Sequence, residues 1–220
     1  MENNFKKDII GWDVSNWSES LNFFDDNINY ANVKKVVELG SYNNSGGYSL
    51  FFAEKKIDVT CSGIILPDSK LKSIHRKYSF SSYINYKKID ATDIQVRNEY
   101  DIVCMKSLLG RIASGGKMGK VKIVFDEIYK SLKPKGYFVF SENLYSTFIH
   151  NYLRKKYKND GWHYLKKVRL VELLKDSKFQ IINYKTNGFI GCFGRNEFQR
   201  NILSKFCLLY TSDAADEEDS

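Results

Sequence analysis

No stretch of the chain approaches the roughly 20 consecutive apolar residues that a membrane-spanning helix needs. The opening Met1-Glu2-Asn3-Asn4-Phe5-Lys6-Lys7-Asp8 holds no apolar signal segment either. A membrane protein and a secreted one are both disfavoured, and a cytoplasmic location is expected. Cysteine is scarce and scattered: Cys61, Cys104, Cys192 and Cys207 form no Cys-x-x-Cys pair, so neither a zinc site nor a redox centre is indicated. These thiols read as reduced and mostly buried. Nor is there an Asp/His cluster with metal-ligand spacing, an internal repeat or a low-complexity linker. No metal is expected.

What is present suits one ordinary domain. At 220 residues, with 43% apolar and 27% charged side chains, the chain is long enough to bury a core without disulfides or metal and too short for a second full domain. Its net charge is +8. Lys greatly outnumbers Arg, and Asn, Ile, Tyr and Phe are frequent, a bias that AT-rich codon usage imposes by itself. An RNA partner is the alternative origin of that charge, although nucleic-acid binders usually concentrate their cations on one element.

Residues 207–220 break with everything before them, carrying five acids, no base and no apolar period. A disordered acidic tail is one expectation. Residues 207–217 also resemble the in-frame translation of a transposase adapter used in DNA library preparation, which implies a non-native tail on an authentic domain of residues 1–206. Removing the tail's five acids changes the net charge from +8 to +13.

From Val33 onward short β-branched runs alternate with helical patterns, the signature of parallel βαβ units. Strands are expected at 35–39, 58–61, 83–89, 100–105, 137–141 and 179–185. Helices are expected at 48–53, 67–78, 120–132, 147–156, 170–175 and 197–205. Pro134 and Gly136 stop the third of these helices before the fifth strand. Residues 1–30, with Trp12, Trp17, Phe23 and Phe24, read as an N-terminal helical lid over the sheet edge.

The strongest local signal is Val36-Val37-Glu38-Leu39-Gly40-Ser41-Tyr42-Asn43-Asn44-Ser45-Gly46-Gly47-Tyr48-Ser49-Leu50, a buried strand passing through a glycine-bearing turn into a helix. Glycines there let the backbone turn tightly and approach a ligand without a Cβ in the way. A tight βα turn with no ligand would look the same. No Lys-Ser or Lys-Thr follows, which disfavours a phosphate-binding P-loop, and a dinucleotide site prefers a stricter Gly-x-Gly-x-x-Gly spacing.

Four elements in order resemble class I S-adenosylmethionine-dependent methyltransferases. Glu38-Leu39-Gly40 with Gly46-Gly47 is similar to that family's first motif, and Ile89-Asp90-Ala91-Thr92 stands where the family sets an aspartate against adenine. Tyr100-Asp101-Ile102-Val103-Cys104-Met105-Lys106-Ser107 is similar to its fourth motif, and Leu132-Lys133-Pro134-Lys135-Gly136 to the element before its fifth strand. The resemblance implies an α/β, Rossmann-like three-layer sandwich with a mostly parallel sheet of order 3-2-1-4-5 plus C-terminal strands, the last one missing or displaced if the chain is truncated. It implies S-adenosyl-L-methionine as cofactor, held by Glu38, Gly40, Ser41, Gly46, Gly47, Ser62, Gly63, Asp90, Ala91 and Lys106. Two departures stand out. Tyr42 replaces a glycine in a loop about two residues longer than usual, and Cys61-Ser62-Gly63 ends the second strand where the family has a ribose-gripping acid. Loss of such a charge-assisted contact costs about 1.5–3 kcal/mol. Asp68 is a substitute from the following loop.

Ligands in open α/β sheets sit beyond the carboxyl ends of the strands, so the acceptor side falls after the fifth strand. His150 is the first candidate base and Glu142 the second, with Asn143, Arg154, Trp162 and Arg195 as substrate-binding candidates. In a helix His150 and Arg154 share a face at i, i+4; a solvent-facing histidine and a solvated cationic helix end are the bland alternatives. Met105-Lys106-Ser107-Leu108 replaces the Asn/Asp-Pro-Pro-Tyr signature for planar amines, and no Pro-Cys nucleophile for cytosine is present. O-methylation of a small molecule or sugar is the expectation. An RNA methyltransferase and a catalytically silent binding module are its rivals.

Overall fold

The computed structural model describes residues 3–41, 45–145, 152, 161–186 and 196–200. Five parallel strands, β1 (Lys35–Leu39), β2 (Asp58–Gly63), β3 (Ile84–Lys88), β4 (Tyr100–Lys106) and β5 (Leu132–Ser141), form one sheet of order β3-β2-β1-β4-β5. β1 lies at its centre. Its Val36, Val37, Glu38 and Leu39 are all buried, as a strand covered on both faces requires. Alternate residues serve opposite layers: Val36, Ile102 and Cys104 join one core cluster, while Val37, Leu39, Val103 and Met105 join the other.

The first layer holds α4 (Gly47–Glu54) and α5 (Ser69–His75). Every residue of α4 from Gly47 to Ala53 is buried, because a third tier covers its outer side; a helix apolar all round must be enclosed. That tier is the N-terminal segment: α1 (Asn3–Ile10) buries Phe5, Ile9 and Ile10, and α3 (Glu19–Asn27) buries Leu21 and Phe24. Between them lies α2 (Val14–Trp17). Phe24 meets the Tyr48 ring edge-on at 5.1 Å. Residues 3–30 therefore contribute core, over α4 rather than over a free sheet edge.

The second layer is built from α6 (Leu109–Ile112), α7 (Met118–Ser131) and α8 (Lys167–Asp176). α7 is amphipathic and buries Val121, Val124, Phe125 and Ile128; α8 adds Leu170, Leu173 and Leu174.

Three expectations change. β5 starts at Leu132 rather than 137, since α7 ends at Ser131 and the chain enters the strand directly; Pro134 is tolerated because β5 is the edge strand among the described residues. Residues 179–185 are irregular and not a strand. Phe179 is held by its ring against Phe138 at 5.3 Å, while Asn183 donates to Asn27 at 3.0 Å and Lys185 pairs with Glu19 at 3.2 Å, so side chains fix this segment. α6 was not legible in the sequence. Of the helix expected at 147–156 only Tyr152 is described, and it is helical; 201–205 of the helix expected at 197–205 lie outside the described residues, and residues 197–200 are helical. The tail at 207–220 also lies outside them. No helix among the described residues is long and apolar enough to cross a membrane.

Candidate active site

The carboxyl end of β1 delivers Glu38, Gly40 and Ser41 to one place because the strand is straight, buried and terminated by Gly40 at φ +75°. That φ favours glycine, and a Cβ there would also press on the Leu108 side chain, 2.7 Å from Cδ1. Glu38 is 2% exposed. Its carboxylate accepts the Tyr48 N–H at 3.0 Å, the Ser49 N–H at 2.7 Å and the Ser49 hydroxyl at 2.6 Å, a negative charge closing the N-terminus of α4.

Glu38, Gly40, Ser41, Ser45, Gly47, Leu71 and Lys106 line one small cleft. Lys106 enters from the end of β4, where its ammonium donates to the Ile10 carbonyl at 2.5 Å and burial pulls its pKa down to about 8, with Glu38 opposing. Among the described residues the buried Ser41 hydroxyl has no oxygen or nitrogen partner, and only the Cys61 thiol lies against it. A buried hydroxyl with only a thiol against it, a buried ammonium and a loop with Gly40 and Gly47 at positive φ fit the carboxylate and polar atoms of an amino-acid group. Those residues could hold the methionine end of S-adenosylmethionine.

The nucleoside end differs. Ser62 is fully buried and its hydroxyl donates inward to the Glu38 carbonyl at 2.7 Å. The Ser41 N–H donates to the Ser62 carbonyl at 2.7 Å, so the β1–β2 seam stays closed past the strand ends. A Cβ on Gly63 would lie 3.1 Å from the Ser41 carbonyl and 3.2 Å from that of Ile65. Glycine at 63 thus follows from close backbone packing, and an acid there would press on two carbonyl oxygens. Asp68 accepts the Leu71 N–H at 2.8 Å as the N-cap of α5. Asp90 is exposed beyond β3; it accepts the Thr92 N–H and hydroxyl, which hold its pKa below the ordinary carboxylate value. Ala91 packs against the second core cluster.

On the acceptor side, Glu142 Oε2 accepts the Leu109 N–H at 2.6 Å and Oε1 accepts the Asn143 N–H at 2.9 Å. Burial nevertheless pushes Glu142 up to about 7, against the pull of these backbone donors. Asn143 Nδ2 donates to Ser107 Oγ at 2.8 Å. Both residues tie the end of β5 to the start of α6. Trp162 lies on Gly110, with the Arg111 guanidinium 5.6 Å from its ring centroid. His150, Arg154 and Arg195 lie outside the described residues.

Two contributors were not among the candidates read from the sequence. Tyr48 is fully buried, its hydroxyl 2.8 Å from both Ser20 Oγ and Ser141 Oγ. His75, also fully buried, reaches the glycine loop at Gly46. For Tyr48 the available clue was a polar group inside the apolar α4 pattern; the Ser- and Lys-rich sequence of α5 gave none for His75.

No family model matches the chain, and no curated protein matches it by sequence. Solved structures do. A protein assigned as a sarcosine dimethylglycine methyltransferase from Galdieria sulphuraria superposes with TM-score 0.61 at 14% identity, over 86% of this chain and 78% of that one. An S-adenosylmethionine dependent methyltransferase from Mesorhizobium loti gives 0.54 at 16% identity, over 75% and 81%. A Haemonchus contortus phosphoethanolamine N-methyltransferase 2, solved with phosphomonomethylethanolamine and S-adenosylhomocysteine, gives 0.50 at 16% identity, over 73% of this chain and 36% of that chain. With its parallel 3-2-1-4-5 sheet, the chain has the class I fold of S-adenosylmethionine-dependent methyltransferases.

Proposed function

We propose that this protein transfers a methyl group from S-adenosylmethionine to a small-molecule acceptor, with a hydroxyl as the methylated group. The observation that carries the proposal is the cleft at the carboxyl end of β1, where the Ser41 hydroxyl, without an oxygen or nitrogen partner among the described residues, and the buried Lys106 ammonium face the same space. Structures sharing the fold include one solved with a small phosphorylated amine and the demethylated cofactor. The cofactor, when bound, supplies an electrophilic methyl group on a sulfonium. The chain's own part is to hold the methionine end at Ser41 and Lys106, to set Asp90 at the adenine end, and to position the acceptor near Asn143 and Trp162. His150 is the proposed base. Glu142 would have to release a backbone N–H before taking a proton, so its proposed role is to shape α6; the pKa near 7 keeps it within reach of proton exchange.

A second reading is a silent binding module, favoured by the closed β1–β2 seam at Gly63. Isothermal titration of S-adenosylmethionine and S-adenosylhomocysteine into the full chain separates the two. Micromolar binding, weakened at least tenfold by Ser41→Leu, which fills the cleft, is expected. Absence of binding to both compounds would overturn the proposed activity.

A further inference from the structure

His75 closes α5 and has no solvent exposure. Its Nε2 lies 2.7 Å from the Gly46 carbonyl and its Nδ1 lies 2.8 Å from the Tyr86 hydroxyl. A carbonyl only accepts, so Nε2 carries the proton; Nδ1 of the neutral ring must then accept from Tyr86. The ring stacks on Tyr86 with centroids 5.7 Å apart and planes 14° apart. Both nitrogens are committed, and the tautomer is set by partners on two different elements.

The group it holds is the cap of α4. Gly46 sits between His75, which binds its carbonyl, and the Asp8 carbonyl, which accepts its N–H at 2.5 Å. Next comes Gly47 at φ +64°, directly over the Glu38 carboxylate. Rotation of the 46–47 peptide would break the His75 bond and move Gly47 out of the cleft lining together. We propose that His75 is a positioning residue of the cofactor loop, latching Gly46 through Nε2–H while Tyr86 orients the ring.

The inference rests on the cofactor reading of the cleft and adds a pH sensitivity to it. Burial lowers the His75 pKa below the usual 6.5, with the Gly46 carbonyl and Glu38 of β1 opposing. The other charged or titratable neighbours act through Tyr86: Cys61 of β2, Arg76 beyond α5, and Lys72, whose ammonium is 4.9 Å from the Tyr86 centroid. From α1, Asp8 brings its carbonyl, while its carboxylate is held by Lys77 and Tyr78. Protonation at Nδ1 would turn the Tyr86 hydroxyl away and place an imidazolium in the core. The latch is therefore neutral at pH 7 and weakens on acidification.

Three variants of the full chain test it. His75→Gln keeps a donor at the distance of Nε2; His75→Asn reaches only as far as Nδ1; His75→Leu removes both. S-adenosylhomocysteine affinity by calorimetry should stay within about threefold for Gln and fall about tenfold or more for Asn and Leu, the effect of one hydrogen bond. Wild-type affinity should decline on acidification, and only below the ordinary imidazole range because burial lowers the His75 pKa; the Gln variant should lack that decline. Equal affinities across the series, or parallel pH profiles, would overturn the latch. Amide exchange at Gly47 and Tyr48 is read in the same samples and needs no cofactor: slow in wild type and Gln, at least tenfold faster in Asn, and if Leu fails to fold the Gln–Asn pair decides. Absence of wild-type binding would end the cofactor reading, while unchanged exchange rates would end the latch.

Discussion

A Cβ on Gly47 would stand 2.5 Å from Glu38 Oε1 and 2.6 Å from Oε2. The strand-end acid and the loop glycine are thus one unit: the carboxylate closes the N-terminus of α4 because no side chain intervenes, and Gly47 takes φ +64°, which a residue with a Cβ adopts only at a cost.

Gly47→Ala is expected to destabilise the fold by about 2 kcal/mol through the left-handed backbone and the contact with Glu38. Glu38→Ala should cost about 3 kcal/mol, since it leaves the Tyr48 and Ser49 donors buried without an acceptor. Urea denaturation measures both. The double variant should cost less than the two single effects together, because the residues touch.

Gly110 and Trp162 are coupled across 52 positions of sequence. A Cβ at Gly110 would overlap Trp162 Nε1, while the His163 N–H donates to the Gly110 carbonyl at 3.0 Å. Gly110→Ala should displace the indole and lose about 2 kcal/mol by overpacking. In a Trp162→Ala background the same change should be nearly neutral. Tryptophan fluorescence and thermal melting of the four proteins would show the coupling.

Lys106 gives stability a predictable slope on the alkaline side. Its folded pKa is pulled down to about 8 from an ordinary value of 10.5. Between those values the unfolded chain binds more protons than the folded one, so this residue makes stability rise with pH from about 8 to about 10.5. Below pH 8 both states are protonated and the burial penalty of the ammonium is fully present. The Lys106→Met variant should lack that rise, which denaturant midpoints at pH 7, 8, 9 and 10 would reveal as a difference from wild type.

Much of the scaffold was legible because its signals are local. The apolar run at 35–39 and the glycines at 40, 46 and 47 need only neighbouring residues to be read, and β1 and α4 lie where those residues place them. The ordered motifs also pointed to the sheet order. In contrast, residues 179–185 have strand composition yet form none: pairing with the β5 edge is a long-range event, and the ring of Phe179 on Phe138 with the Asn183–Asn27 bond holds the segment otherwise. Nothing near Glu142 in sequence announces α6, whose Leu109 N–H it accepts from 33 positions away.

The sequence by itself determined the layering of this protein and the position of its glycine loop, since hydrophobic period and backbone permissiveness are properties of adjacent residues. Only the tertiary structure decided which polar groups face the cleft. Ser62 turned inward to Glu38, Ser41 found no oxygen or nitrogen partner among the described residues, Gly63 was packed under two carbonyls, and His75 was set against Gly46. Each outcome depends on what a second element brings within about 3 Å, the reach of a hydrogen bond.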